Sequence, residues 1–386
     1  MLLRRFPRRF FCSKPPFGGE AAVQEMLDSA ATFEDIKPKT AVDEWSTLPY
    51  PAGTSFRQSQ AAKSLRPKKD PLKTSIIIFP GQGAQYVGMG NDLQQIPAAK
   101  DIFDLASEVL KFDVLKVCLE GPVEKLNSTR YCQPAVVVAS LAALEKLKEE
   151  RPAAIDECYA TAGFSLGEIT ALIFAGSIPF DQGLKLVQVR AEAMQLASDA
   201  ATGGMATVLY GPDSKVGQAC LKAKEWCIER GVENPECLVA NYLYPHCKVI
   251  AGSMEALNFL ESNAKQFGLR RVKRLPVSGA FHTPLMEAAV EPFRRALRKV
   301  ELSDPIISVH SNIDGQRYRN AEHVRKQLPR QITKPVRWEQ TLHILYERAQ
   351  GEHFPRTFEV GPGRALTTIL KQVNAKAATR AFNIFP

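Results

Sequence analysis

Short apolar runs alternate with longer stretches in which hydrophobic residues recur every three or four positions, from Ser75 to the end of the chain. The run 76–79 is fully apolar, as expected of a strand buried in a parallel sheet. Helical spacing begins at Pro134, which suits a first helical turn because its missing N–H needs no partner there. It recurs over 180–200, and a last strand is predicted at 357–360. This alternation predicts an α/β sheet with helices on both faces.

Residues 203–277 follow a different order. A strand, a helix, two strands on either side of His246, a helix and a strand succeed one another, and βαββαβ is the order of a ferredoxin-like domain. Elements of the first type resume afterwards. We therefore predict a large α/β-hydrolase-like domain, formed by 73–202 and 278–386, with a small ferredoxin-like domain inserted between its two parts.

The N-terminal part differs from the rest in charge and in proline content. Residues 1–19 hold five basic side chains and no acid, which is over half of the net charge of +9. An Arg-rich, acid-free start with Leu and Phe between the charges is typical of a mitochondrial transit segment, although a disordered basic tail has the same composition. Prolines interrupt 20–72, which we interpret as a flexible linker. We expect a protein of the mitochondrial matrix, without a membrane span.

Cysteine spacing and charge argue against several kinds of site. The eight cysteines form no Cys-x-x-Cys pair, and the four between 220 and 247 do not match the spacing of a zinc module. We expect free thiols in a reducing compartment, no metal and no cofactor. The remaining positive charge is dispersed and lacks interleaved aromatic residues, so it favours an acidic partner over nucleic acid.

A candidate nucleophile lies at Ser165, within the G-x-S-x-G pattern of residues 163–167. A sharp strand-to-helix turn needs small residues on both sides, because the backbone there passes close to itself. The turn exposes the hydroxyl near a helix N-terminus, whose free N–H groups can meet a developing negative charge. These features suit acyl transfer, but a tight turn without a catalytic role has the same composition.

Three further features bear on this hypothesis. The glycine-rich turn 81–85 follows the first strand, and its backbone N–H groups suit half of an oxyanion hole. It lacks the Lys-Ser/Thr ending of a phosphate loop, and a plain structural turn stays open. His282 lies between a strand and a helix, where it could serve as base or be a satisfied core residue. Arg190 lies among apolar residues, where it could bind a carboxylate or phosphate or form an internal ion pair.

Taken in order, these segments resemble the malonyl-CoA:acyl carrier protein transacylase family over residues 74–384. The resemblance rests on FPGQGAQYVGMG, QPA at Gln133, GFSLG, the arginine at 190, GAFHTPLM, PVRW from Pro335 and EVGPGRAL from Glu359. The basic leader makes the chain most similar to the animal mitochondrial member, which implies a role in mitochondrial fatty acid synthesis.

The resemblance implies a role for each residue. Ser165 would attack the thioester of malonyl-CoA, and His282 would accept its proton. Backbone N–H groups of Gln82 and Leu166 would hold the oxyanion, and Arg190 would bind the malonyl carboxylate. The phosphopantetheine thiol of the acidic acyl carrier protein would then take the malonyl group in a ping-pong reaction.

Further positions are carried over with them. Gln133, Asn241 and Phe281 would contact the substrate, and Phe281 would crowd a 2-methyl group. Backbone carbonyls would orient the histidine, one of them at the position of Arg337.

The chain also departs from the family pattern. Phe164 stands where histidine is frequent, Arg337 where glutamine is commoner, and Leu243 where a second asparagine is found.

Two other classes of function remain open. A serine thioesterase or esterase of the α/β-hydrolase type would use water as acceptor, would expect an acidic partner for the histidine and would not need Arg190. A non-catalytic carrier-binding subunit would need neither Ser165 nor His282. Basic residues at 270–274 and 294–299 could meet the carrier or be solvated charge on exposed faces.

Overall fold

The computed structural model describes residues 70–277, 279–347 and 353–386. Its strands are β1 (Ser75–Phe79), β2 (Cys158–Gly163), β3 (Gly203–Tyr210), β4 (Cys237–Tyr244), β5 (Cys247–Ser253), β6 (Leu269–Arg274), β7 (Ser308–His310), β8 (Val336–Arg337), β9 (Arg356–Val360) and β10 (Ala381–Ile384). The predicted transit segment and nearly all of the linker, residues 1–69, lie outside the described residues.

The α-helices cover both faces of the larger sheet and one face of the smaller. They are α1 (Pro97–Leu110), α2 (Val114–Glu120), α3 (Val123–Asn127), α4 (Thr129–Glu150), α5 (Pro152–Asp156), α6 (Leu166–Phe174), α7 (Phe180–Ala200), α8 (Val216–Glu229), α9 (Met254–Ser262), α10 (Val290–Arg298), α11 (Ala321–Gln327), α12 (Trp338–Leu345), α13 (Ala365–Val373) and α14 (Ala375–Ala378). Two 3₁₀ helices, Pro284–Ala289 and Leu328–Ile332, matter for the site.

The larger sheet is parallel and has the order β10-β9-β1-β2-β7. Strand β1 lies at its centre, and all five of its residues are buried. Ile77 and Phe79 pack against α4, α6 and α7, whereas Ile76 and Ile78 pack with Trp338 and the helices α12 and α13. Apolar side chains on alternating faces explain why this segment is uniformly hydrophobic.

The smaller sheet has the order β6-β3-β5-β4-β8. Its first four strands are antiparallel and alternate with α8 and α9 in the order βαββαβ. The predicted fold class, an α/β protein with a ferredoxin-like unit, is confirmed. The fifth strand, β8, pairs in parallel with β4 and comes from beyond the predicted insertion 203–277, so the domain boundaries stay a prediction.

Two details of the sequence interpretation were wrong. Helix α4 starts at Thr129, so Pro134 lies inside it. A proline near the N-terminus forfeits a single backbone bond, and the helix gains buried positions at Cys132 and Gln133. The strand at 356–360 is not the last, because β10 follows it and adds to the edge of the larger sheet.

The carboxyl ends of parallel strands share one edge of a sheet, where ligands bind in open α/β folds. The turns after β1, β2 and β7 meet at this edge. In the described parts of the chain no helix is both long and apolar enough to cross a membrane, and no three His, Cys, Asp or Glu side chains are grouped to hold a metal ion. The seven cysteines there are free.

Candidate active site

The turn 163–167, which we call the elbow, holds Ser165 in a strained conformation. Ser165 lies between β2 and α6 with φ 51° and ψ −105°. A Cβ on Gly163 would lie 1.9 Å from the carbonyl carbon of Gly167, and one on Gly167 would lie 2.3 Å from the Phe79 oxygen. The glycines are therefore required by the close approach of the backbone, and the strain is typical of a functional site.

Side chains from distant segments hold the backbone of Ser165. Its N–H donates to Asn312 Oδ1 at 2.6 Å, and its carbonyl accepts from Gln331 Nε2 at 2.7 Å. Asn312 also donates through Nδ2 to the Gly163 carbonyl at 2.8 Å. The elbow is thus clamped from both sides, by residues that the sequence interpretation missed.

His282 lies where a base for Ser165 is needed. Its Nε2 lies 2.8 Å from Ser165 Oγ, and its Nδ1 lies 2.7 Å from the carbonyl oxygen of Gln331. Because a carbonyl can only accept, Nδ1 carries the proton, and the lone pair of Nε2 faces the serine hydroxyl. Burial, together with the positive charge of Arg190, lowers the pKa of His282 to about 4, against the backbone acceptors at Gln331 and Lys334. The imidazole is therefore neutral at physiological pH.

The carbonyl that orients His282 corrects the prediction for Arg337. The Arg337 carbonyl accepts from Thr341 Oγ1 at 2.9 Å instead, and its N–H donates to the Asn312 carbonyl. The 3₁₀ helix Leu328–Ile332 brings Gln331 to the imidazole, whereas Arg337 lies at the junction of β8 and α12. A backbone carbonyl still orients the histidine, but it belongs to Gln331 and not to Arg337.

Arg190 on α7 points its guanidinium at the nucleophile although the side chain is only 1% exposed. Nη2 donates to Ser165 Oγ at 3.1 Å and to Gln331 Oε1 at 2.9 Å, and Nη1 donates to Gln133 Oε1 at 2.8 Å. Burial lowers the pKa of Arg190 to about 10, so the group stays charged near neutral pH. Its acceptors are all neutral, and Nε is buried without a hydrogen-bond partner among the described residues. This environment suits an incoming anion.

The turn after β1 reaches the same cluster. Gln133 Nε2 donates to Gln82 Oε1 at 3.2 Å, which links this turn to the partner of Arg190. A Cβ on Gly81 would lie 2.4 Å from the Phe164 oxygen, so the turn lies directly against the elbow. Leu166 is the first residue of α6, where a backbone N–H has no acceptor within the helix. The two predicted oxyanion donors, Gln82 and Leu166, therefore lie on segments in contact.

Two other predicted residues are buried nearby but lie outside the hydrogen-bond network of Ser165. Phe281 precedes the base and is 6% exposed. Asn241 lies in β4 opposite Val336 of β8. Its Oδ1 is buried and has no partner within the described part of the chain.

A buried carboxylate that the sequence interpretation missed completes the site. Glu168, on the first turn of α6, accepts from Tyr318 Oη and Gln331 Nε2, each at 2.6 Å, and from the Asn312 N–H at 3.1 Å. Burial raises the pKa of Glu168 to about 7, against these hydrogen bonds. A glutamate directly after G-x-S-x-G, and polar residues just beyond the end of β7, are the signals that could have found this group.

Comparisons with known proteins agree with this geometry. The acyl transferase domain family matches residues 76–376. The chain is 63% identical over 319 residues to a probable mitochondrial malonyl-CoA-acyl carrier protein transacylase of Drosophila melanogaster, covering 83% of this chain and 84% of the relative.

Solved structures of malonyltransferases have the same fold. An acyl-carrier-protein S-malonyltransferase of Burkholderia pseudomallei superposes with a TM-score of 0.72 at 32% identity, covering 81% of this chain and 96% of that one. A malonyl-transacylase in complex with its type II polyketide synthase acyl-carrier protein superposes with a TM-score of 0.70 at 32% identity, covering 80% and 94%.

Replacing Gly167 should disrupt the elbow. In Gly167→Ala the new methyl would meet two backbone oxygens, of Phe79 at 2.3 Å and Pro80 at 2.7 Å, which cannot move independently. We expect a loss of about 1–3 kcal/mol in the free energy of unfolding, measured by urea denaturation. Gly211→Ala is the control, because its methyl would meet the mobile end of Arg270. Equal stability of the two variants would contradict this reading.

The low pKa of His282 sets the acid limit of Ser165 reactivity. The base must be neutral, and protonation becomes extensive only as the pH falls to about 4, well below the ordinary value of 6.5. We expect the second-order rate of Ser165 modification by a sulfonyl fluoride to stay level from pH 7 to about 5 and to fall below that. His343→Gln on α12, whose imidazole lies beside Glu339 and not beside Ser165, should leave the profile unchanged. An acid limb centred at 6.5 or higher would contradict the assignment.

Proposed function

The chain belongs to the acyl transferase domain family, and from this premise we propose that Ser165 carries the malonyl group between two thiols. The protein transfers malonyl from malonyl-CoA to the phosphopantetheine thiol of acyl carrier protein, in mitochondrial fatty acid synthesis. The observation that carries the assignment of residues is the buried guanidinium of Arg190, 3.1 Å from the oxygen of a serine that also contacts a neutral histidine.

In the first half-reaction the Arg190 guanidinium binds the malonyl carboxylate. His282 Nε2 accepts the proton of Ser165, whose oxygen attacks the thioester carbonyl carbon. The Gln82 and Leu166 N–H groups stabilise the oxyanion, and the loss of one such donor typically costs about 10²–10³ in rate. The carbon–sulfur bond then breaks, and the protonated His282 returns the proton to the CoA thiolate.

The second half-reaction reverses these steps with another thiol. His282 takes the proton of the phosphopantetheine thiol, the sulfur attacks the malonyl ester, and Ser165 leaves with that proton. The neutral tautomer is suited to both halves, because Nε2 must accept a proton in each and release it again.

The hydrolase alternative receives less support. An α/β-hydrolase usually orients its histidine with an aspartate or glutamate, whereas Nδ1 of His282 donates to the backbone of Gln331. Hydrolysis of a thioester also does not require a buried guanidinium beside the serine, so it would leave the position of Arg190 unexplained.

The surface that meets the carrier stays a prediction. Arg294 and Arg295 on α10 are exposed, but both hydrogen-bond Glu291, which offsets part of their charge. Arg270 and Arg271 on the edge strand β6 are also exposed. Either set could meet an acidic partner.

A label-transfer experiment tests the proposed function. The protein, incubated with labelled malonyl-CoA, should retain one label on Ser165, because the oxyester is a true intermediate of a ping-pong reaction. Added acyl carrier protein should then remove this label as malonyl-carrier. Ser165→Ala should retain none. Release of free malonate without transfer would favour the hydrolase, and the absence of any serine-bound label would favour a binding subunit.

Removal of the guanidinium should abolish the preference for malonyl. In Arg190→Ala, kcat/KM for malonyl-CoA should fall by at least about 30-fold, the equivalent of ~2 kcal/mol, because the acyl carboxylate loses its buried partner. The rate of Ser165 acylation by acetyl-CoA should change far less. Arg298→Ala, which removes an exposed guanidinium on α10, is the matched control. A variant that still prefers malonyl over acetyl would refute the clamp.

A further inference from the structure

Glu168 is a fully buried carboxylate that takes no part in the reaction derived above. Its hydrogen-bond donors are neutral: the Asn312 N–H, the Tyr318 phenol, the Gln331 amide and the Ser311 hydroxyl. A buried carboxylate without a cationic partner in direct contact is costly. The charge of Arg190 acts on it only at longer range, through the intervening amide of Gln331. Such a cost calls for a function that a neutral side chain would not fill.

Gln331 shows what the carboxylate does. Both hydrogens of its amide have acceptors that cannot donate: the Ser165 carbonyl at 2.7 Å and Glu168 Oε2 at 2.6 Å. The amide oxygen therefore faces Arg190, whose Nη2 donates to it at 2.9 Å. In the reversed orientation the amide oxygen would face a carboxylate, and the NH₂ group would face a guanidinium. The ionised form of Glu168, which predominates above its pKa of about 7, thus excludes the reversed amide.

We propose that Glu168 is a positioning residue, which fixes the amide of Gln331 and thereby holds the Arg190 guanidinium in place for the carboxylate of the acyl group. This inference rests on the proposed role of Arg190. Glu168 acts indirectly, through Gln331. The side chain of Gln331 contacts Arg190, and its backbone carbonyl contacts His282. Selectivity for a dicarboxylic acyl group is therefore supported by a second, buried carboxylate that never meets the substrate.

A glutamine at position 168 would have the same shape and the wrong hydrogen-bond pattern. The Asn312 N–H and the Tyr318 hydroxyl both point at Oε1, so the new side chain would keep its oxygen there. Its NH₂ group would then replace Oε2 and face the NH₂ group of Gln331. Two donors repel, and the reversal of Gln331 that relieves this contact turns its NH₂ group toward Arg190. The guanidinium loses this acceptor when Gln331 reverses, and a displaced but unreversed amide would hold it less firmly.

The test compares two acyl groups that differ only in the carboxylate. Ser165 acylation by malonyl-CoA and by acetyl-CoA is measured for the wild-type chain and for Glu168→Gln, with enzyme in excess. We expect the malonyl rate constant to fall about 10- to 100-fold, as for a buried charged group that loses a hydrogen bond. The acetyl rate should fall less than about threefold, since acetyl does not need the clamp. The ratio of the malonyl to the acetyl rate constant should therefore fall strongly.

Tyr318→Phe is the matched control. It removes a donor to Oε1 and leaves the contact between Oε2 and Gln331 intact. We expect a lower midpoint of thermal unfolding and an equal effect on both acyl groups, so that the ratio keeps its wild-type value. Should Glu168→Gln not fold, Glu168→Asp gives the same readout, because the shorter side chain keeps the charge but withdraws the oxygen from Gln331.

The outcomes distinguish a failure of the positioning role of Glu168 from a failure of the proposed role of Arg190. A folded Glu168→Gln chain with the wild-type ratio overturns the positioning role, and so does a Tyr318→Phe chain whose ratio falls as far. If the wild-type chain itself shows no preference for malonyl, then the role of Arg190 has failed instead.

Discussion

The site depends on one strained residue whose backbone is held at both ends. Ser165 has a φ of 51°, a conformation that costs roughly 1–3 kcal/mol for a residue with a side chain. Its N–H donates to Asn312 and its carbonyl accepts from Gln331, and these two hydrogen bonds offset that cost. The partners come from the segment after β7 and from the 3₁₀ helix at 328–332, so the nucleophile reaches its geometry only when the larger sheet and the C-terminal segments have assembled.

The electrostatics of the site follow from keeping carboxylates away from His282 and from direct contact with Arg190. A carboxylate on Nδ1 of His282 would raise the pKa of the histidine. A carboxylate in direct contact with Arg190 would compete with the substrate for the guanidinium. The backbone carbonyl of Gln331 orients the imidazole without adding charge. Glu168 is the carboxyl group of this cluster, charged above its pKa of about 7, and the amide of Gln331 separates it from Arg190. The cation therefore keeps its capacity to bind an acyl carboxylate.

Local patterns predicted most of the elements, although not the start of α4 or the strand β10, and they indicated the motif residues that the fold brings together. The apolar run of β1, the glycines around Ser165 and the βαββαβ order all reflect neighbours in sequence, because sterics and side-chain period act over a few residues. Long-range partners were missed for the opposite reason. Asn312 and Gln331 lie 147 and 166 positions from Ser165, and the sequence around them offers little beyond the position of Asn312 just after β7. Arg337 was predicted from its position in a motif, whereas Gln331 reaches the imidazole through the path of the 3₁₀ helix, which the sequence interpretation did not foresee.

Phe164, which differs from the histidine frequent in the family, shows that the residue before the serine can vary. Phe164 turns away from the nucleophile and meets Trp338 edge-on, with ring centroids 5.6 Å apart, in the cluster beneath the sheet. Leu166 is buried in the main core on the other side. The side chains on either side of Ser165 therefore pack into two different cores, and neither needs to point at the serine. The elbow sequence therefore indicates an acyl-transfer geometry, whereas in the proposed function the identity of the acyl group is set by residues distant in sequence, Arg190 and the polar groups that hold it.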